Sequence, residues 1–439
     1  MHLRSLTIGA LSAIVATGAI ATSTAMAADT LFVPSLVYRT GAYSPNGIPF
    51  ANGYKDYFTL LNNRDGGIGG VKVEVEECET GYRTNVGVEC YEKLKGKGAL
   101  AVAPNSTGIT YQLIPKSAVD KIPIFSMGYG RTSAADGRIF PYVFNFPTTY
   151  WSQASAVIKY IGAQEGGLDK LAGKKIAHIY HNSAYGKEAN PTLELLAKKH
   201  GYNLTLLAVD HPGQEQKSTW LQIRRLKPDW IFMSGWGVMN QVAVKEAAGI
   251  GFQMDRFIGN WWSGTETDVA PAGAGANGYT ATTFHAPGGG KKVHEDMIKH
   301  VYDKGDGAGE AGRVGEVLYN RGMLNAIFIS EAISNAQKHF KVKNVTGEQV
   351  RWGFENIDMN QDRWAELGLA DFIGNIKVTC EDHEGGGQVR VQKWDAAAKQ
   401  WKFSSDWFTP MRDVVRPLVE ADAAKYAEEN KITPRDCSS

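Results

Sequence analysis

Short apolar runs recur at 32–37, 72–76, 100–103, 123–126, 175–180, 203–209, 230–234 and 256–259. Each is bounded by glycine, proline or polar residues and is too short for a buried helix, so the pattern predicts strands. Between them, 190–200 and 241–248 space their apolar residues three and four apart, which predicts helices. Strand and helix alternating in this way imply an α/β fold, with parallel sheets covered by helices on both faces. Ligands of such sheets bind beyond the carboxyl ends of the strands, so the residues just after each strand are the candidates for chemistry. From Cys380 the pattern changes to strict alternation, in Gln388-Val-Arg-Val-Gln-Lys-Trp394 and Trp401-Lys-Phe403, which predicts a hairpin joined by 395–400. Glycine clusters at 288–290 and 305–312 read as loops.

The first residues lie outside this pattern. A basic start ending in Arg4, an apolar run over 6–20 and the closing Ala25-Met26-Ala27 form the three parts of a secretory signal, 1–27, so the mature chain is expected to begin near Ala28. No second apolar span of membrane length follows. What remains of the 439 residues exceeds what one core serves, which predicts two domains. Without Arg4, the 47 Lys and Arg become 46 against 46 Asp and Glu, a neutral chain with no call on nucleic acid or an anionic membrane surface. Four cysteines in an exported chain favour disulfides over metal. Cys78 and Cys90 are close enough in sequence to be bridged, leaving Cys380 with Cys437 to pin the tail to the body.

One stretch carries more information than the rest. Thr40-Gly-Ala-Tyr43-Ser-Pro-Asn-Gly47-Ile-Pro-Phe-Ala-Asn-Gly53 follows the first strand, then come Asp65-Gly-Gly-Ile-Gly-Gly70, a short alternating strand and Cys78. Singly these are ordinary turn glycines. In this order and spacing they resemble the start of the branched-chain amino-acid-binding family of periplasmic solute-binding proteins. The resemblance implies a two-lobed type I periplasmic binding fold, each lobe a parallel sheet flanked by helices, with a three-segment hinge near Pro147, Thr280 and Glu366. It places lobe I at 28–147 and 281–366, lobe II at 148–280 and 367–408, and a C-terminal extension at 409–439. It also implies a monomer that closes on a small molecule and delivers it to ABC permease membrane subunits driven by cytoplasmic ATPases, with no cofactor.

The same resemblance directs attention to the strand ends. Asn105-Ser106-Thr107 matches the turn that holds the ligand carboxylate, and Gly128-Tyr129-Gly130 matches the turn whose backbone donors assist it. Tyr150 and Trp151 fall at the first crossing, where many amino-acid binders carry an aspartate for the ammonium. Tyr185 matches a cleft-facing tyrosine, Trp236 an aromatic cover, and Trp261-Trp262 the place of a glutamate for the ammonium. With Tyr43, these make the strand ends aromatic where acids are expected. An ammonium buried without a counter-charge costs several kcal/mol, which argues against an α-amino acid. Aromatic walls suit a flat apolar carboxylate, for which Arg321 is a candidate cationic partner. A quaternary amine in an aromatic cage is the competing ligand, and Glu266 keeps an amino acid in play.

Other signals are weaker. Asp358-x-Asn360-x-Asp362 resembles a calcium loop, but Arg363 and Leu369 stand where the loop needs glycine and glutamate, so it reads as a turn. His178 and His181 lack a third ligand. No nucleophile elbow, zinc-protease helix or P-loop is present, which disfavours an enzyme. A sensor presenting its closed form to a signalling partner is the alternative on the same fold.

Overall fold

Proline has no N–H to give a ladder, and Pro34 splits the first apolar run into two strands, Thr30–Phe32 and Ser35–Val37. In the computed structural model, which describes residues 30–438, these strands pair in parallel with Lys72–Glu74 and Glu77–Glu79. Parallel bridges then continue through Ser35 to Ala103 and Val102 to Ile124, and Ile124–Phe125 pairs with Val143–Phe144. This is the first lobe's sheet. The expected signal at 1–27 and its cleavage near Ala28 lie outside the described residues.

The second lobe is built on a seven-stranded sheet in the order Gln400–Phe403, Arg390–Asp395, Thr280–Thr283, Phe257–Gly259, Trp230–Ser234, Lys175–His181 and Asn203–Val209. Its last five strands are parallel, and the late hairpin adds at one edge with Trp394 opposite Trp401. The architecture is therefore α/β with two parallel-dominated lobes, as the alternation predicted.

Glycines of the leading motif serve close packing. A Cβ on Gly53 would lie 2.0 Å from the Tyr319 carbonyl oxygen, and one on Gly322 would lie 1.9 Å from that of Phe50. The helices Ser44–Leu60 and Val317–Phe340 are thus pressed together along the first lobe's core.

The chain leaves the first lobe's sheet after Val143–Phe144 and runs through 145–149 into the helix Tyr150–Glu165. The second crossing falls after Thr283, since all of Thr280–Thr283 is in register with the second sheet and the N–H of Ala286 donates to Phe372 O at 2.7 Å. The third lies well beyond the expected Glu366. Trp364, Leu369, Phe372, Ile376 and Val378 are buried in the first lobe's core, so their apolar side chains hold 367–378 there rather than in lobe II. The crossing runs at 383–389 beside the first: Phe146 N–H donates to His383 O at 2.9 Å, and Gly387 N–H to Pro147 O at 3.0 Å.

Beyond the hairpin, the helix Arg412–Asn430 lies over both lobes. Ala423 and Ala427 pack with Ile139, Phe140 and Val143 of the first, while Met411 and Val414 pack with Ala154, Val157 and Ile158 of the second. Disulfides join Cys78 to Cys90 and Cys380 to Cys437. Asn360 caps the helix Gln361–Glu366, accepting from Arg363 N–H at 2.9 Å, so the calcium-like spacing is a strand end followed by a cap. Among the described residues no group of acids, histidines and cysteines could hold a metal, and no helix is long and apolar enough to cross a membrane.

Candidate functional site

The two lobes meet over a narrow cavity. From the first lobe it is lined by Tyr38, Phe50, Tyr82, Asn105, Ser106, Thr107 and Tyr129, and from the second by Tyr150, Tyr185, Trp236 and Trp262. Burial pushes the phenols of Tyr38, Tyr150 and Tyr185 well above their ordinary pKa, so they present neutral hydroxyls. None of the described residues lining the cavity carries a charge at neutral pH.

Polarity is concentrated at one place. Asn105 adopts a left-handed backbone (φ 53°) and turns the chain into the helix Thr107–Asp120. Its N–H donates to the Tyr129 hydroxyl at 2.8 Å, and its side-chain amide donates to Leu36 O at 3.0 Å. Among the described residues no acceptor meets the N–H groups of Ser106, Thr107 and Gly108. Such a helix start offers donors and the positive end of a dipole to an anion.

The neighbouring turn differs from expectation. Gly128 N–H donates to Asn145 O at 2.9 Å, Tyr129 N–H to Ser126 O at 3.1 Å, and Gly130 N–H to the Thr107 hydroxyl at 3.2 Å. Its backbone donors are therefore already engaged. What the turn offers instead is the Gly128 carbonyl, which accepts the indole N–H of Trp261 at 2.9 Å and of Trp262 at 3.3 Å. The turn clasps the opposite lobe.

Eight of the expected residues thus line the cavity: Asn105, Ser106, Thr107, Tyr129, Tyr150, Tyr185, Trp236 and Trp262. Tyr43 stands at the rim, its ring 4.5 Å from that of Tyr82 and its hydroxyl 2.8 Å from His181 Nε2 across the cleft. Trp261 lies one layer back, stacked 5.9 Å behind Tyr150. Trp151 does not reach the cleft. It follows Tyr150 at a helix start, so its side chain is turned away, and it packs on Val415 and Val419 of the C-terminal helix.

Arg321 also misses the cavity. It is 0% exposed, its guanidinium 5.2 Å from each of the rings of Trp262 and Phe284. It donates to Trp261 O, and through Nε to His285 Nε2 at 3.1 Å. Burial lowers its pKa to about 9 against the opposing pull of Glu266 and Asp268, which leaves it charged at neutral pH.

The sequence did not single out Tyr38, Phe50, Tyr82 or Glu188. Tyr38 was within reach, because it directly follows the strand Ser35–Val37, where ligand residues are expected. Glu188 belongs to the second lobe and is buried against the first. It accepts from the Tyr111 hydroxyl, from Thr132 N–H at 3.2 Å and from the Thr132 hydroxyl at 2.8 Å.

Acids also meet the first lobe on another side. Glu266 accepts from Val317 N–H at 3.1 Å, and Asp268 accepts from the Asn46 amide at 3.2 Å. Burial pushes Glu266 up to about 7 and Asp268 up to about 6. If Glu266 returns to an ordinary carboxyl when the lobes part, closing takes up a proton. That contribution is fully present below the ordinary pKa and is lost as pH rises through about 7. Affinity for a ligand that stays ionised is therefore expected to fall about 70-fold from pH 5 to pH 8. Titrations across that range should show the slope, and Glu266→Gln should flatten it; a flat wild-type profile would remove Glu266 from closure.

Comparison with known proteins agrees with this geometry. The periplasmic binding protein family matches residues 30–400. A solved structure from the Pseudomonas fluorescens group, described as an ABC transporter permease, is 42% identical, with a TM-score of 0.86 over 93% of this chain and 100% of that one. A branched-chain amino acid ABC transporter protein from Thermus thermophilus with bound valine is 21% identical, with a TM-score of 0.74 over 88% of this chain and 98% of its own. A solute-binding protein from R. palustris in complex with benzoate is 14% identical, with a TM-score of 0.66 over 87% and 97%. At those identities the last two show the fold alone. No curated protein matches the chain. A match over most of the chain, on two lobes that close over one cavity, means that this chain belongs to the periplasmic binding protein family, as the solute-binding component of an ABC transporter.

Proposed function

We propose that the chain binds a small apolar carboxylate, an aromatic acid of the benzoate or phenylpropenoate type, in the periplasm and hands it to the permease of an ATP-driven importer. The observation that carries this reading is the cavity wall: eight aromatic side chains, one uncharged polar corner at Asn105, Ser106 and Thr107, and no acid. The free N–H groups at that corner take the carboxylate, and Tyr150, Tyr185, Trp236 and Trp262 close on the ring from the second lobe. Glu266, the residue that kept an α-amino acid in play, is committed to Val317 N–H and does not line the cavity. The guanidinium of Arg321 already lies 5.2 Å from the Trp262 ring, which disfavours a quaternary amine against that same ring. The R. palustris protein with benzoate shows that the fold accommodates such a ligand.

A thermal-shift screen of unfolded and refolded protein tests this, since refolding strips co-purified ligand. At ligand concentrations about 100 times Kd, binding contributes about 2.7 kcal/mol and raises the melting point by several degrees. Aromatic acids are expected to do so, while leucine, valine and choline are not. Stabilisation by the amino acids or choline alone would overturn the reading.

A further inference from the structure

Two side chains in the cavity wall carry a buried polar atom with no partner. The indole N–H of Trp236, from the second lobe, donates to nothing, and the side-chain oxygen of Asn105, from the first, accepts nothing. Both residues are more than nine-tenths buried. Neither orphan is a matter of amide orientation for Asn105, because its NH₂ group is fixed by donation to Leu36 O at 3.0 Å and Ser35 Oγ at 3.3 Å. The Trp236 N–H points toward the Tyr38 hydroxyl closely enough to lower that phenol's pKa against the larger upward push of burial, but the contact falls short of full hydrogen-bond geometry. The other indoles of the closed cleft, Trp261 and Trp262, both have their N–H satisfied by Gly128 O. Trp236 is the exception on that wall among the described residues.

A buried donor and a buried acceptor left open in a largely aromatic cavity are costly unless something fills them. A bare aromatic acid meets neither need, since its ring has no polar edge. A hydroxyl suits either atom, because it can accept from an N–H or donate to a carbonyl oxygen. We infer that the ligand is a hydroxylated aromatic acid, and that Trp236 and Asn105 select it over the unsubstituted acid. The inference rests on the aromatic-acid reading above and narrows it. The two atoms come from opposite lobes, so hydroxyl recognition also favours the closed state.

The test is the preference within a matched series: benzoate, its three monohydroxy isomers and their methyl ethers, titrated by tryptophan fluorescence and calorimetry. At least one hydroxy isomer is expected to bind about 10- to 100-fold tighter than benzoate, the range that an unfilled buried hydrogen-bonding group implies. Its ether, which accepts but cannot donate, is expected in between. Trp236→Phe lowers affinity generally through lost contact area, but its diagnostic effect is on the ratio: the hydroxyl preference is expected to shrink to within about threefold. A preference that survives Trp236→Phe, or hydroxy and unsubstituted acids that bind alike, would overturn the inference while leaving the aromatic-acid reading intact. Failure of the whole series to bind would instead remove the reading on which it rests. Equal binding of ether and hydroxyl would exclude the Asn105 contact.

Discussion

Glu188→Ala is expected to weaken ligand binding about 100-fold while leaving the unliganded melting point within a few degrees of wild type. In the closed form this carboxylate is the single acceptor for the Tyr111 hydroxyl and for both donors of Thr132. All three donors come from the first lobe, and alanine leaves them buried with no partner. Each such loss costs about 1–3 kcal/mol, discounted because the closed form can relax or admit water. When the lobes part, the same groups reach solvent, so the penalty falls on closure and appears in Kd rather than in the fold. Glu188→Gln keeps one acceptor and should cost only about fivefold. Fluorescence titration beside a melting curve separates the outcomes. An unchanged Kd for the alanine variant would show that this contact takes no part in closing.

Arg321→Met is expected to lower unfolding stability by about 3–5 kcal/mol, the usual result of removing one partner from a buried charge network. The guanidinium has no exposed surface, donates to Trp261 O and His285, and opposes the charges of Glu266 and Asp268. Methionine fills much of the same volume, so the loss is electrostatic rather than a cavity. Urea midpoints with an unchanged slope would measure it. The double variant with Asp268→Asn should recover part of the loss, because fewer buried charges then lack compensation. A single-variant loss under about 1 kcal/mol would mean that Arg321 acts only as packing.

The two effects mark where the sequence was readable. Strand and helix alternation, the glycine spacing around Gly47 and Gly53 and the cysteine pattern all depend on neighbours in the chain, and they led to the α/β fold and both disulfides. Residues just after strands were readable for the same reason, which is why eight of the expected positions line the cavity. Side-chain direction was not. Tyr150 and Trp151 are adjacent, yet one faces the cleft and the other the C-terminal helix, because a single helical step turns the chain by about 100°. Arg321 and Glu188 depend on which lobe faces which at a distance of more than fifty residues, for which no local pattern exists. The third crossing was misplaced because apolar positions from Leu369 to Val378 fit a core in either lobe.

The helix Arg412–Asn430 gives the molecule a back as well as a mouth. It packs on both lobes beside the hinge, and Cys437 anchors its end to the third crossing through Cys380. A hinge splinted in this way resists a wide swing, since full opening would have to peel apolar side chains from one lobe or the other. Exchange through a short gap admits a thin molecule edge-on more readily than a bulky one. Flatness would then be screened twice, once by the aromatic walls at equilibrium and once by the width of the door, so that entry speed and tightness of holding select the same shape.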